Sequence, residues 1–258
     1  MLIEFAGIPG SGKTFVCEAF RTWLTRQGIG FVDVDEFIRE AAARDAKNVP
    51  KLGLLGKKLD LGNKSTDVFL RSFISFFRSH HEYVHRYSDC LFAWEQDETA
   101  IRSALSAFLY GCARYAYCID AQDAPQTALM IHEEGFAHRL FTLFGYDRAD
   151  RDASREIRAV AEQMPVSQAV VWTRCTPAVA YERMSQRSGK RFPERMAGME
   201  RADAIRMLMA GESVLEKGLS ILQERGANIV QVTTDDGFRD EQIFSGIVGE
   251  LGRAGRAR

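Results

Sequence analysis

The sequence predicts an α/β protein built on a parallel β-sheet with helices on both faces, and three observations support this prediction. Five short apolar segments of strand length recur along the 258 residues. Long stretches with helical periodicity separate them, which is the pattern of repeated βαβ units. A glycine-rich phosphate-binding motif directly follows the first segment, which is therefore the buried strand that such a loop requires. The predicted strands are residues 2–6, 30–34, 127–132, 167–173 and 227–232.

The first strand leads into a phosphate-binding loop, because residues 7–14 fit the pattern G-x-x-x-x-G-K-[ST]. Glycines let backbone N–H groups turn inward around a β-phosphate, and the following helix adds the positive end of its dipole. Lys13 would bridge the β- and γ-phosphates, and the Thr14 hydroxyl would ligate Mg²⁺. The predicted nucleotide-binding residues are Gly7, Ile8, Pro9, Gly10, Ser11, Gly12, Lys13 and Thr14.

Two helical regions follow. An amphipathic helix is predicted directly after the loop, with its apolar residues at Phe15, Val16, Ala19, Phe20, Trp23 and Leu24. Residues 36–123, between the second and third strands, have helical periodicity and many aromatic side chains, and they are too long for a simple crossover. We expect most of those aromatics to pack between helices and a few to line an acceptor pocket. The prediction is therefore one domain, 1–258, with an acceptor-binding helical insert at 36–123.

The second strand ends in Asp33-Val34-Asp35, so two carboxylates come at the carboxyl edge of the sheet, where ligands bind in open α/β folds. Such a carboxylate can take a proton from an attacking hydroxyl or hold a substrate hydroxyl. Asp35 could instead cap the next helix. We predict Asp35 as a catalytic residue, and Asp33 and Arg39 as substrate-binding residues, with Arg39 clamping an acceptor anion.

The third strand runs into His132-Glu133-Glu134-Gly135, which places further carboxylates at the same edge. A carboxylate here is expected to orient the Mg²⁺ shell or to activate a nucleophile. Two adjacent side chains do not easily point into one site, and we favour Glu133 as the catalytic and metal-site residue. Asp35 and Glu133 are both candidates for the base. Arg139 is predicted to bind substrate, with a surface ion pair as the alternative.

After the fourth strand, Thr176-Pro177 begins a helix that carries Arg183 and Arg187 four residues apart on one face. Because a glycine and two more cations follow, we predict a lid at 183–198 that closes over the triphosphate. Arg183 and Arg187 are then catalytic, and Arg191 binds the nucleotide. The alternative is a solvated basic helix end, which the helix dipole favours.

Composition excludes several other classes. A net charge of −1 gives no reason to expect nucleic acid. The five cysteines lack C-x-x-C spacing, which argues against a zinc ribbon and fits reduced thiols. No leader or bilayer-spanning stretch is evident, so a cytoplasmic protein without membrane contact is expected, and a homodimer is compatible with the sequence. His81-Glu82-Tyr83-Val84-His85 fits H-E-x-x-H, but no third zinc ligand is assignable.

Together these motifs resemble the nucleoside and nucleotide kinase group of P-loop proteins, and thymidylate kinase-like small-molecule kinases in particular. The resemblance rests on residues 7–14, 33–35, 133–135, 176–191 and 230–236. It implies a three-layer P-loop NTPase fold with a five-stranded parallel sheet in the order 2-3-1-4-5. It also implies ATP and Mg²⁺, a helical acceptor region between strands 2 and 3, and an adenine-contacting loop after strand 5.

The chain also departs from its relatives. Similar enzymes that phosphorylate adenylyl sulfate carry Asp-x-Asp-x-x-Arg, whereas Arg39 comes one position later here. Glu133-Glu134-Gly135 replaces the Asp-Arg-Tyr or Glu-Arg-Ser turn of thymidylate and deoxynucleoside kinases. The resemblance therefore predicts an ATP-dependent phosphotransferase acting on a small-molecule hydroxyl or phosphate, but not which acceptor. The alternative is a nucleotide-dependent regulatory ATPase module without such an acceptor.

Overall fold

The structure, a computed structural model, describes residues 1–34, 66–94, 97–120, 129–145, 152–187, 192–236 and 242–256. Five parallel strands form one sheet in the order β2-β3-β1-β4-β5. This order and the helices around the sheet confirm the predicted three-layer P-loop NTPase fold. The strands are β1 (Leu2–Ala6), β2 (Phe31–Asp33), β3 (Leu129–His132), β4 (Ala169–Arg174) and β5 (Asn228–Thr233).

Helices cover both faces of this sheet and form the region between β2 and β3. In the described ranges they are α1 (Lys13–Arg26), α2 (Thr66–Trp94), α3 (Glu98–Asp120), α4 (Phe136–Phe144), α5 (Ser154–Gln163), α6 (Pro177–Ser185), α7 (Arg201–Glu224) and α8 (Gln242–Arg256). None of these described helices combines the length and the apolar character needed to cross a membrane.

The central strand β1 positions the site, because the phosphate loop leaves its carboxyl end. Its neighbours are β3 and β4, with Leu2 opposite Met130 and Ile3 opposite Ala169. All five residues of β1 are buried, as expected for a central parallel strand, and one of them is the charged Glu4. The β1 prediction matches the strand's bounds, and those of β2, β4 and β5 differ by one or two residues, as helix and strand ends often do. The predicted third strand ends at His132, as observed, and its first two residues, 127–128, lie outside the described residues.

The two faces of the sheet pack into separate apolar clusters. On one face, Ile3 and Phe5 of β1 pack with Phe20 of α1 and Phe244 of α8. The other face packs against α4 and the helices around it. Phe15 differs from the prediction, since its side chain is 57% exposed. It lies in the first turn of α1, beside the phosphate loop, where the helix face is still open to solvent.

The helices between β2 and β3 are held together by aromatic side chains. Phe76, Tyr83 and Tyr87 of α2 and Phe108 of α3 are all essentially buried. The rings of Tyr87 and Phe108 stack with centroids 3.8 Å apart. The expectation that such aromatics form core contacts is therefore confirmed for these residues. The first third of the predicted insert, residues 36–65, lies outside the described residues.

Candidate active site

The phosphate loop is shaped by glycines that no other residue could replace without strain. Gly10 and Gly12 have φ angles of 84° and 86°, in the left-handed region. A Cβ on Gly10 would approach the backbone oxygen of Ala180 in α6 to 2.3 Å. The backbone therefore packs directly against α6, and Gly12 forms the N-cap of α1. This backbone conformation is the one that a phosphate-binding loop requires.

Hydroxyl groups from the ends of β4 and β5 hold this loop in place. The Ser11 and Thr173 hydroxyl oxygens lie 3.0 Å apart, and Thr173 also donates to the backbone oxygen of Ala6 at 3.0 Å. The Thr234 hydroxyl donates to the backbone oxygen of Ser11 at 2.6 Å. Sequence reasoning did not identify Thr173 or Thr234 as part of the site, because a lone threonine at a strand end has no distinguishing pattern.

Both carboxylates that follow β3 reach the loop. The Thr14 hydroxyl donates to Glu133 Oε1 at 2.5 Å. The Lys13 ammonium contacts Glu134 Oε1 at 2.9 Å. The expectation that only one of the two glutamates would point into the site is wrong. Residues 133 and 134 form a turn rather than a continued strand, so the alternation of side chains along a strand no longer applies.

The buried side chain of His138 lies next to the ion pair of Lys13 and Glu134. Although partial burial acts to raise it, the pKa of Glu134 is lowered overall, chiefly by the nearby Lys13 ammonium. Burial, followed by the charge of Lys13, lowers the pKa of His138. Glu134 is therefore ionised and His138 neutral at neutral pH. Since the Glu134 side chain is 51% exposed, its pairing with Lys13 is screened by solvent.

A buried carboxylate in β1 pins the turn that carries these glutamates. Glu4 Oε2 accepts a hydrogen bond of 3.0 Å from the backbone N–H of Ala137, at the start of α4. A Cβ on Gly135 would lie only 2.1 Å from Glu4 Cδ, so the turn passes directly over this side chain. Burial raises the pKa of Glu4, and the hydrogen bond from the Ala137 backbone opposes that shift. The only sequence signal for Glu4 is a single charge within an apolar strand.

Arg183 lies beside the loop but is bound to the end of β5. Its Nη1 donates to the Thr234 hydroxyl at 3.0 Å, and its Nη2 donates to the backbone oxygens of Thr234 and, at 3.3 Å, of Asp235. A Cβ on Gly12 would lie 3.7 Å from Nη1. Arg183 therefore joins α6, the end of β5 and the loop. Its catalytic role stays a prediction.

The other predicted lid and acceptor residues are placed only in part. Arg187 is exposed just beyond the end of α6. Arg191 lies outside the described residues, together with 188–190, so the lid at 183–198 stays a prediction. Asp35 and Arg39 are also outside them. Asp33 forms an ion pair with Arg21 of α1.

A cleft of about 670 Å³ lies beside the phosphate loop, between α3, α4 and the segment that contains the short helix Glu194–Met196. Glu134 and Arg139 form part of its wall. Arg139 is only 8% exposed, so the alternative of a surface ion pair is wrong for this residue. The described residues that line the cleft are Asp97, Thr99, Ala100, Ser103, Ala104, Ala107, Glu134, Arg139, Thr142, Pro193 and Arg195.

Comparison with known proteins adds little to this geometry. No family model matches the chain, and no curated protein matches it. Among solved structures, it is similar to the deoxyadenosine kinase from M. mycoides with its products dCMP and a flexible dCDP bound. That match has 10% sequence identity and a TM-score of 0.40, and it covers 98% of this chain and 100% of the other. A likeness this weak carries no argument about substrate, so the fold assignment rests on the strand order and the loop.

Proposed function

We propose that this protein is an ATP-dependent phosphotransferase that moves the γ-phosphoryl group to a hydroxyl or phosphate of a small-molecule acceptor. The observation that carries the proposal is the meeting of two β3-end carboxylates with the phosphate loop. Glu133 contacts Thr14, and Glu134 contacts Lys13 at the edge of a cleft. A loop that only bound a nucleotide would not need a carboxylate facing an adjoining cavity.

The residues present fit a nucleotide phosphate with Mg²⁺. Gly10 and Gly12 both have the positive φ that lets the backbone of the loop turn its N–H groups toward a phosphate. The Thr14 hydroxyl and the Glu133 carboxylate are hard oxygen donors of the kind Mg²⁺ prefers. Among the described residues, no three His, Cys, Asp or Glu side chains gather into a metal cage. When bound, Mg²⁺ would neutralise charge on the phosphate oxygens.

The chain's own residues divide the remaining work. We assign Lys13, which is 11% exposed, to binding of the β- and γ-phosphates. Glu133 accepts a hydrogen bond from Thr14, and we assign both residues to the Mg²⁺ site. Glu134 lines the cleft and is ionised, so we assign it the role of orienting the acceptor hydroxyl, with Asp35 as the other candidate. Arg183, Arg187 and Arg191 are proposed to stabilise the transferred phosphoryl group.

The experiment is transfer of label from γ-labelled ATP with Mg²⁺ to a panel of nucleosides, nucleotides, sugars and aminoglycosides. We expect transfer that depends on an acceptor and that falls at least about 100-fold in Lys13→Ala. Glu134→Gln should lower kcat, whereas Glu133→Gln should raise the Mg²⁺ concentration needed for half-maximal rate. Arg158→Gln, at an exposed position on α5, is the matched control for loss of charge.

The opposite result is equally informative. Tight ATP binding without transfer to any acceptor would contradict the proposal and favour a regulatory ATPase module. Transfer that survives Lys13→Ala would show that the phosphate loop is not the site of the reaction.

A further inference from the structure

Arg139 is a buried cation without a protein partner in the described part of the chain. Its side chain is 8% exposed, and its Nε has no hydrogen-bond acceptor. No carboxylate of the described residues lies within ion-pair distance of its guanidinium. Burying a charge is costly unless it is paired and hydrogen-bonded, so an arrangement of this kind needs another compensation.

The nearby carboxylates are already engaged. Glu134, at the edge of the cleft, contacts Lys13 at 2.9 Å. Asp97 caps α3 by accepting from the backbone N–H of Ala100 at 2.9 Å. Glu4, behind the first turn of α4, accepts from Ala137. Glu4 and Glu134 interact electrostatically with Arg139, but none of these groups forms a contact ion pair with it.

The space in front of Arg139 is kept open by small side chains. Residues Ala100, Ser103, Ala104 and Ala107 form one face of α3 along the cleft. Further along the same helix, the Cβ position of Gly111 lies 3.8 Å from Arg139 Nε, so no side chain intrudes there. A second guanidinium, that of Arg195, lines the same cleft.

We propose that the acceptor bound in this cleft is an anion, a small molecule bearing a carboxylate or a phosphate, and that Arg139 binds that group. The planar guanidinium matches either oxyanion with two parallel N–H···O bonds. The identification of the cleft as the acceptor site rests on the proposed phosphotransferase function. Neutral acceptors such as sugars or nucleosides leave the buried charge unpaired and are disfavoured.

The first experiment tests the anion site without any turnover. The protein is saturated with Mg²⁺ and a non-hydrolysable ATP analogue, so that the phosphate loop is occupied. Binding of inorganic phosphate and of acetate is then measured by calorimetry and by the shift in Tm, at constant ionic strength. We expect saturable binding of at least one of them. It should weaken at least tenfold in Arg139→Met and persist in the control Arg158→Gln.

The ligand-free melting temperature separates a binding residue from a structural one. Methionine has a similar volume and no charge, so Arg139→Met should raise Tm in the absence of ligand if the charge is uncompensated. A guanidinium that held the fold together would instead give a lower Tm. Arg139→Lys keeps the charge but loses the paired geometry, so it should retain anion binding at reduced affinity.

Pairs of neutral and acidic acceptors then show whether the site binds a phosphate or a carboxylate group. Nucleosides are compared with their 5′-monophosphates, and glucose with glucose 6-phosphate and glucuronate, in both binding and label-transfer assays. An acidic member should bind at least tenfold more tightly than its neutral partner, and Arg139→Met should abolish that preference. Preference for phosphate or for carboxylate identifies the class.

Failure of this inference is distinguishable from failure of the proposed function. Equal binding of neutral and acidic partners, a preference that survives Arg139→Met, or no anion binding at all would overturn the anion site. Label transfer to a neutral acceptor, independent of Arg139, would do the same while leaving the phosphotransferase intact. Anion binding that depends on Arg139, without transfer to any acceptor, would support the site and contradict the proposed reaction.

Discussion

Replacing Gly135 with alanine should test whether Glu4 fixes the turn that carries the two site glutamates. Gly135 has φ −75° and ψ −164°, which other residues adopt, so the substitution adds no backbone strain. The added methyl group would instead lie 2.1 Å from Glu4 Cδ and 2.4 Å from Glu4 Cγ. These separations are shorter by about 1 Å or more than ordinary carbon contacts. Either Glu4 or the turn has to move.

The cost follows from what each movement would break. Glu4 is buried, and moving it would disrupt the 3.0 Å hydrogen bond from Ala137, worth about 1.5–3 kcal/mol if the carboxylate is ionised. Moving the turn is a case of overpacking, at about 1–3 kcal/mol. We therefore expect Gly135→Ala to lower the free energy of unfolding by about 2 kcal/mol. For a chain of this size that corresponds to a fall in Tm of roughly 4–8 °C.

A double-mutant cycle measured by urea denaturation checks the mechanism. In a Glu4→Ala background the clash is absent, so Gly135→Ala should cost at least about 1 kcal/mol less than in the wild type. Gly30→Ala is the control, since its Cβ would meet no atom within 4 Å. If phosphotransfer is detected, a shift of the turn by about 1 Å should slow it by roughly 100-fold. A Gly135→Ala protein as stable as Gly30→Ala, or an additive cycle, would refute the reasoning.

Three further predictions follow from the same geometry. Gly10→Ala should abolish ATP binding in calorimetry, because position 10 has a positive φ and the added methyl group would lie 2.3 Å from a backbone oxygen. Unchanged affinity for ATP would contradict the assignment of the phosphate loop. Burial and then Arg114 lower the pKa of His132, so the unfolded chain binds a proton that the folded chain does not. The contribution of His132 to the free energy of unfolding is therefore constant above about pH 6.5. Below that pH it falls by up to about 1.4 kcal/mol per pH unit. The raised pKa of Glu4 changes stability with pH in the opposite direction, so the effect of His132 has to be measured as a difference between two proteins. The free energy of unfolding in urea is measured for the wild type and for His132→Asn at pH 7.5 and 5.5. An equal loss of stability in both proteins between these pH values would contradict the prediction. Glu134→Gln should tighten ATP binding by up to about fivefold, since a half-exposed pair with Lys13 is worth at most about 1 kcal/mol, and weaker binding would show that this carboxylate supports the nucleotide.

The fold could be predicted because its signals are local. The β1 strand and the loop of residues 7–14 lie next to each other in the sequence, and β4 is a nearly continuous apolar run, as buried parallel strands are. Phe15 shows the limit of such reasoning. Helical periodicity assigned it to the apolar face of α1, but periodicity does not reveal that the first turn of this helix borders an open loop.

The site was predicted only where a motif carried it. Glu134 was passed over because strand alternation was extended into a turn, where it no longer holds. Thr234 reaches Ser11 across 223 positions of sequence, and no spacing rule connects residues so far apart. The burial of Arg139 depends on α3 packing against its helix, which the sequence of α4 alone does not indicate. Contacts between distant segments, rather than residue types, decided each of these cases.

Two cations near the cleft are treated differently by the fold, and the contrast bears on what binds there. Lys13 is paired with a half-exposed carboxylate, so a phosphate can replace its partner at small cost, because such pairs contribute little to stability. Arg139 is buried, with no ion pair to any described residue, and is flanked by small side chains that leave room for a ligand. Charge on the lysine is thus paired without a ligand, whereas the arginine interacts with Glu4 and Glu134 without a contact ion pair and would gain a direct partner from an anion in the cleft. If both cations bound the nucleotide, Arg139 would be expected at the phosphate loop and not in the wall of a separate cleft. The geometry therefore points to an acidic acceptor in that cleft.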